Sequence, residues 1–301
     1  MTRGFVSVLV CIATMFMFAA LVATTAGAAP LPLHGIEGVG GVFSTHSAHL
    51  VNSGGEDNPI GAPSVGIAHV SLGYGRHLEA FTVTETLFDR LEIGLGFNRF
   101  DLGDLPQDIE RATGIDISDD YVNMLNSNLR LELVKESDQL PAITMGVHHK
   151  NNFTIEDIDN DLSGSLSNLG IEDDSGWDAT LYATKMFKFL PRPFVINAGV
   201  RWTKAAHLGL LGFTDEDSFL AEGSIIVIPM DGWLCAAEYR MKPNEYEEHA
   251  PVIEEEDDWW TVCTAYVVNE HMTISGGYGH FGHVLNHEAN GSWGFKIKWE
   301  Y

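Results

Sequence analysis

The nine residues Trp293-Gly294-Phe295-Lys296-Ile297-Lys298-Trp299-Glu300-Tyr301 constrain the fold more than any other stretch of the chain. Every odd position is large and apolar or aromatic, and every even position is Gly, Lys or Glu. A period of two is that of a β-strand with one apolar and one polar face. Five large side chains aimed to one side need a continuous apolar surrounding. Lipid supplies it on the outside of a transmembrane barrel, where the polar face turns to the lumen. Leu91-Glu92-Ile93-Gly94-Leu95-Gly96-Phe97-Asn98-Arg99 repeats the pattern in mid-chain.

The closing segment also resembles the C-terminal sorting signal of bacterial outer-membrane barrels, with Trp293, Phe295, Ile297, Trp299 and Tyr301 as its apolar residues. The other end agrees. Met1-Thr2-Arg3 is a short positive start, residues 5–23 are an apolar run without charge, and Ala26-Gly27-Ala28 is a small-x-small cleavage pattern. This is the layout of a secretory signal peptide, expected to be removed after Ala28. No long apolar run follows it, so a membrane-embedded mature chain must satisfy its backbone in a closed barrel.

Reading alternation backwards from Tyr301 predicts twelve strands, at about 65–74, 81–87, 91–99, 124–135, 143–150, 177–189, 194–204, 219–228, 233–241, 259–268, 271–281 and 291–301. Their lengths suit tilted membrane strands, and an even count suits a single-chain bacterial barrel. The links sort by parity. Residues 88–90, 136–141, 190–193, 229–232 and 269–271 are tight, while 101–122, 151–176, 205–217, 242–257 and 281–290 are long. Only the link at 75–78 breaks the rule. Outer-membrane barrels have short periplasmic turns and long outer loops, which places Tyr301 at the periplasmic end. The expected fold is therefore an all-β, antiparallel up-and-down transmembrane barrel spanning 64–301, with fourteen strands as the alternative. The alternative exists because residues 29–63, Gly-rich at the start, fit a periplasmic segment, a lumen plug or two further strands. Short helices are expected in the outer loops at 109–112 and 155–169.

Acidic residues outnumber basic ones by 42 to 17, a formal charge of −25, which excludes a nucleic-acid partner. The carboxylates crowd into the long loops, densest at Glu254-Glu255-Glu256-Asp257-Asp258. A solvated surface explains them. A mouth that collects divalent cations, or bridges to lipid headgroups, is the sharper alternative. Trp177, Trp202, Trp233, Trp259, Trp260, Trp293 and Trp299 fall near strand ends, as headgroup girdles require.

Inward parity assigns Glu92, Arg130, Glu132, Arg201, Glu222, Glu238, Arg240, Lys296 and Lys298 to the lumen, where mixed charges either pair and close it or leave a narrow polar pore. His280, His283 and His287, with Glu288, offer metal ligands in the last outer loop, although Gly282 interrupts any helical spacing. Cys235 and Cys263 fall on neighbouring strands, but the demanding geometry of a cross-strand disulfide favours two free thiols. No Gly-x-Ser-x-Gly elbow accompanies the available serines, so no catalytic residue and no cofactor is assigned.

Gly38-Val39-Gly40-Gly41 and the turn Glu85-Thr86-Leu87-Phe88-Asp89-Arg90-Leu91-Glu92-Ile93-Gly94 resemble segments of outer-membrane barrel families of unknown function. That resemblance implies location and architecture and carries no activity. The leading expectation is a porin or channel for small solutes. A closed structural or adhesive barrel is the alternative, and an enzyme acting on lipid is the least favoured. Expected partners are outer-membrane lipid, the barrel-assembly machinery during insertion, and small solutes or divalent cations.

Overall fold

A computed structural model describes residues 34–52, 59–242, 256–284 and 287–301. The signal-peptide assignment and residues 243–255 of the acidic loop lie outside these residues. Twelve antiparallel strands close into a barrel. They are β1 (Ser64–Gly73), β2 (Arg76–Leu87), β3 (Leu91–Asp101), β4 (Tyr121–Val134), β5 (Ala142–Asn152), β6 (Ser175–Phe187), β7 (Phe194–Ala205), β8 (Phe213–Met230), β9 (Trp233–Arg240), β10 (Trp259–Val267), β11 (Met272–His280) and β14 (Ser292–Glu300). A two-residue hairpin, β12 (His283–Val284) with β13 (His287–Glu288), sits in the last loop. The seam pairs β1 with β14, from Ser64 opposite Glu300 to Ser71 opposite Trp293. The barrel count is twelve, and among the described residues neither 34–52 nor 59–63 adds a strand to it.

The alternation inverts that of a soluble protein. Ile67, Phe81, Leu95, Leu129, Leu181, Ile225 and Ile297 are exposed on the outer surface, while Thr82, Asn98, Asn126, Thr144 and Asn197 are buried inside. A soluble sheet buries its apolar face, so an apolar outside around a polar interior requires lipid as the solvent. Trp177, Trp202, Trp260 and Trp293 lie on the outside toward the long-loop end, and Trp233 and Trp299 toward the tight-turn end. Trp259 departs from the girdle expectation. As the first residue of β10 it has the opposite parity to Trp260, and it packs inside at 6% exposure.

The same parity separates the cysteines. In the β9–β10 register Cys263 stands opposite Ala236 and Cys235 opposite Thr264, one residue out of step. Neighbours along a strand face opposite sides. The two thiols therefore lie on opposite faces of the wall, and both are free.

The outer loops fold over the barrel mouth. In the first, Gly114 at φ 78° stops α1 (Leu105–Thr113), which buries Leu105 and Ile109. Helix α2 (Ile155–Asp161) buries Ile155 and Ile158 in the same way. With Leu208, Leu210, Leu211, Phe281 and Val284 they form one apolar cluster that roofs the lumen. The loops thus show acidic residues to solvent and apolar ones downward.

Candidate functional site: a plugged lumen

Residues 34–51 lie inside the barrel. Their backbone folds into tight turns, with Gly35 N–H donating to Val39 O at 2.8 Å and Ile36 N–H to Phe43 O at 3.1 Å. Isolated bridges join His34 to Gly40 and Gly41 to His46, and a chain enclosed in this way must still find a partner for each polar group. The wall provides them. The Glu92 carboxylate accepts from Gly40 N–H at 3.2 Å and Val51 N–H at 2.7 Å. Arg130 donates to Gly40 O at 3.1 Å and to Ser47 O. Lys296 donates to Val42 O at 2.7 Å and to His34 O. Glu238 is held by three successive amides, those of Phe43, Ser44 and Thr45, at 3.1, 3.0 and 2.8 Å. Consecutive N–H groups converging on one carboxylate form an anion nest, here with the anion supplied by the wall.

Backbone reaches backbone where the wall has no side chain. Gly38 lies at φ 84°, and a Cβ there would stand 2.5 Å from Leu95 O. Gly94 and Gly96 on β3 face it, and a Cβ on Gly96 would stand 2.6 Å from Glu37 O. The glycine-rich stretch 38–41 and the 85–94 turn that carried the family resemblance are thus docked on each other.

Toward the outer-loop end a charge cluster spans the lumen. Glu37 of the plug pairs with Arg201 and Lys150, both at 2.8 Å. Arg201 also pairs with Asp178 and Glu222 at 2.8 Å, Lys150 with Asp178 at 2.9 Å, and Arg240 with Glu222 at 3.3 Å. His46 Nε2 lies 3.0 Å from Glu37, and Tyr182 donates to Glu222. The wall contributes three cations (Lys150, Arg201, Arg240) and two carboxylates (Asp178, Glu222). Glu37 supplies the third carboxylate and neutralises the set.

Eight of the nine residues assigned to the lumen by parity are buried there. Glu92, Arg130, Arg201, Glu238 and Lys296 touch the plug, Glu222 and Arg240 complete the charge cluster, and Lys298 pairs with Glu300 near the tight-turn end. Glu132 is only half-buried, because it lies where β4 reaches the inner rim. Lys150, Asp178 and Glu37 were missed. The first two lie inside the predicted strands 143–150 and 177–189, on their inward-facing positions, and the same parity applied to those strands would have found them. Glu37 has no such signal, because its segment has no period.

The three candidate metal histidines do not converge. His280 stacks on Trp260, His283 lies 3.9 Å from Asp257, and His287 stacks on Tyr74 and lies 3.4 Å from Asp108. Among the described residues, no three His, Cys, Asp or Glu side chains are grouped to hold a metal. In the roof, burial pushes the His207 imidazole below its ordinary pKa, and nearby Lys242 adds to this against the opposing pull of its partner Glu256.

Solved structures with a similar barrel include the KdgM porin, at 8% identity and a TM-score of 0.48 over 79% of this chain and 99% of that one. The NanC porin matches at 11% identity and a TM-score of 0.48 over 80% and 99%. Omp33 of Acinetobacter baumannii matches at 5% identity and a TM-score of 0.42 over 80% and 98%. At such values these likenesses carry no argument about activity. No curated protein matches the sequence. The family profile described as "Protein of unknown function (DUF3034)" matches residues 32–297, nearly the whole barrel and its plug. The chain is a closed twelve-stranded β-barrel with an apolar outer surface and belongs to the DUF3034 family.

Proposed function

We propose that this protein is a channel for small solutes held shut at rest by its own residues 34–51, and that it is not an enzyme. The observation that carries the reading is the charge set across the outer half of the lumen. The wall alone is one carboxylate short, and the lumen segment of the same chain supplies it through Glu37. A wall built only to be filled would be served at lower cost by apolar packing, since buried ion pairs are often no more stable than hydrophobic replacements. With the plug withdrawn, Lys150, Arg201 and Arg240 face Asp178 and Glu222 across a hydrated passage that favours small anions.

The test is conductance in planar bilayers, comparing the wild-type chain with Gly38→Val. Valine at φ 84° is strained, and its Cβ collides with Leu95 O, so the plug is forced off β3. Wild type is expected to be closed almost all the time, and the variant to open with anion preference. A folded variant, its plug shown by proteolysis to be released, that passes no current would overturn the reading. That result would leave the second reading, a permanently closed surface barrel, which the double seal of plug and loop roof favours.

A further inference from the structure

Between the plug and the loop roof lies a cavity of about 40 Å³. Its floor is the apolar side of the plug, Ile36 and Phe43. Val70 belongs to its wall, and Leu208, Phe281 and Val284 line its loop side. No polar atom faces it, although His207 contributes to the lining. The imidazole turns its Nε2 away to Glu256. A second void of about 10 Å³ shares Phe43, Val70 and Phe281 with the first and reaches Gly277, Gly279 and Gly294 of β11 and β14.

The chemistry of the lining decides what enters. A water needs roughly 10–15 Å³ on this measure and two to four polar partners. The space is sufficient for a few waters, but the partners are missing. Cavities of this character stay dry and accept apolar guests. The position is also unusual, because the rest of the lumen is lined by Thr, Asn and charged residues. The apolar compartment is therefore confined to the space directly under the outer loops, the first a molecule from outside would reach. Two phenylalanines, Phe43 from the plug and Phe281 from the loops, line both voids.

We propose that this compartment is a binding site for one small uncharged apolar molecule of a few heavy atoms, seated on Ile36 and Phe43 of the plug beneath the outer loops. Occupancy rests on cavity shape and chemistry alone, so it stands whether or not the barrel conducts. Because the guest contacts the plug directly, its binding and plug docking are thermodynamically coupled.

The probe is xenon, followed by xenon NMR at graded pressure on the full chain in lipid nanodiscs. Empty nanodiscs give the lipid background. Wild type is expected to show a saturable component above that background. Val284→Phe and Leu208→Phe fill the space from the loop side and are expected to reduce it at least fivefold. Phe281→Ala joins the two voids and is expected to bind benzene at least tenfold more tightly than wild type does. A wild-type response equal to that of empty nanodiscs overturns the site. So does a saturable response that persists unchanged in both filled variants when they show wild-type strand content by circular dichroism. If a filled variant fails to fold, the benzene measurement on Phe281→Ala decides alone, and equal affinity to wild type overturns the proposal.

Discussion

Replacing Glu37 by Gln removes one charge from the plug and almost no volume. In the structure that carboxylate meets Arg201 through both terminal nitrogens, at 2.9 and 2.8 Å, and Lys150 at 2.8 Å. All three groups are buried. Removing one partner of a buried pair costs about 3–5 kcal/mol, because the other charge is left without compensation. The low end applies here. Arg201 keeps Asp178 and Glu222, Lys150 keeps Asp178, and the glutamine oxygen still accepts one hydrogen bond. A loss of about 3 kcal/mol is roughly two decades in an equilibrium constant. The undocked fraction of the plug should therefore rise about a hundredfold. Hydrogen exchange reads this directly at the amides of Phe43, Ser44, Thr45 and Val51, which are protected only by wall carboxylates on β9 and β3. Their exchange should quicken by about the same factor, while the barrel strands stay protected. Glu172→Gln, on an outer loop, should change nothing. Plug amides that exchange within threefold of wild type in a folded Glu37→Gln protein would refute the claim that Glu37 holds the plug.

Other outcomes follow from the same geometry. Glu238→Gln weakens the nest that receives three plug amides, and hydrogen bonds to a charged group contribute about 1.5–3 kcal/mol. A cysteine placed at Ser44 should become correspondingly more reactive to a periplasmic thiol reagent. Because burial lowers the pKa of His207, the unfolded loop takes up a proton more readily than the folded one does. The stability it contributes is present above the ordinary histidine value, near 6.5, and falls as pH drops below it. Limited proteolysis at 206–212 should accelerate on acidification, and His207→Gln should abolish the step. Cys235 and Cys263 should both remain free after treatment with oxidant, since they lie on opposite faces of the wall. A non-reducing mass spectrum 2 Da lighter than the dithiol would contradict the β9–β10 register.

The wall was legible in the sequence because lipid imposes a local rule. Each strand must alternate by itself, so β3 and β14 can be read without reference to their neighbours. The loop parity was legible for the same reason. Where a strand extends beyond the lipid the rule lapses. Residues 213–218 of β8 continue the strand through Asp215, Glu216 and Asp217, and only the pairing of Ala205 with Phe213 across a register shift marks the extension. Sequence gave residues 29–63 three placements, and the lumen is the one seen for 34–51. Its partners explain why no pattern announced it. Gly40 bonds a side chain 52 residues away and Thr45 one 193 residues away, so nothing periodic in the segment itself encodes its place. The mirror-image difficulty affected His280, His283 and His287. They are close in sequence, but the hairpin β12–β13 sends them to different neighbours.

The plug leaves the lumen on the tight-turn side. Val51 O is bound by Thr86, Ile60 bridges Leu87, and Pro63 O accepts from Tyr301 N–H directly before β1 begins. His34, at the other end of the segment, also lies toward that side, against Thr84 and Lys296. Both ends of the 34–51 segment therefore lie toward the tight-turn side. In the proposed channel the return of the plug is a unimolecular event, because residue 51 stays covalently joined to β1. Re-sealing is then independent of how many copies the membrane holds and needs no second protein, so each barrel keeps its own stopper.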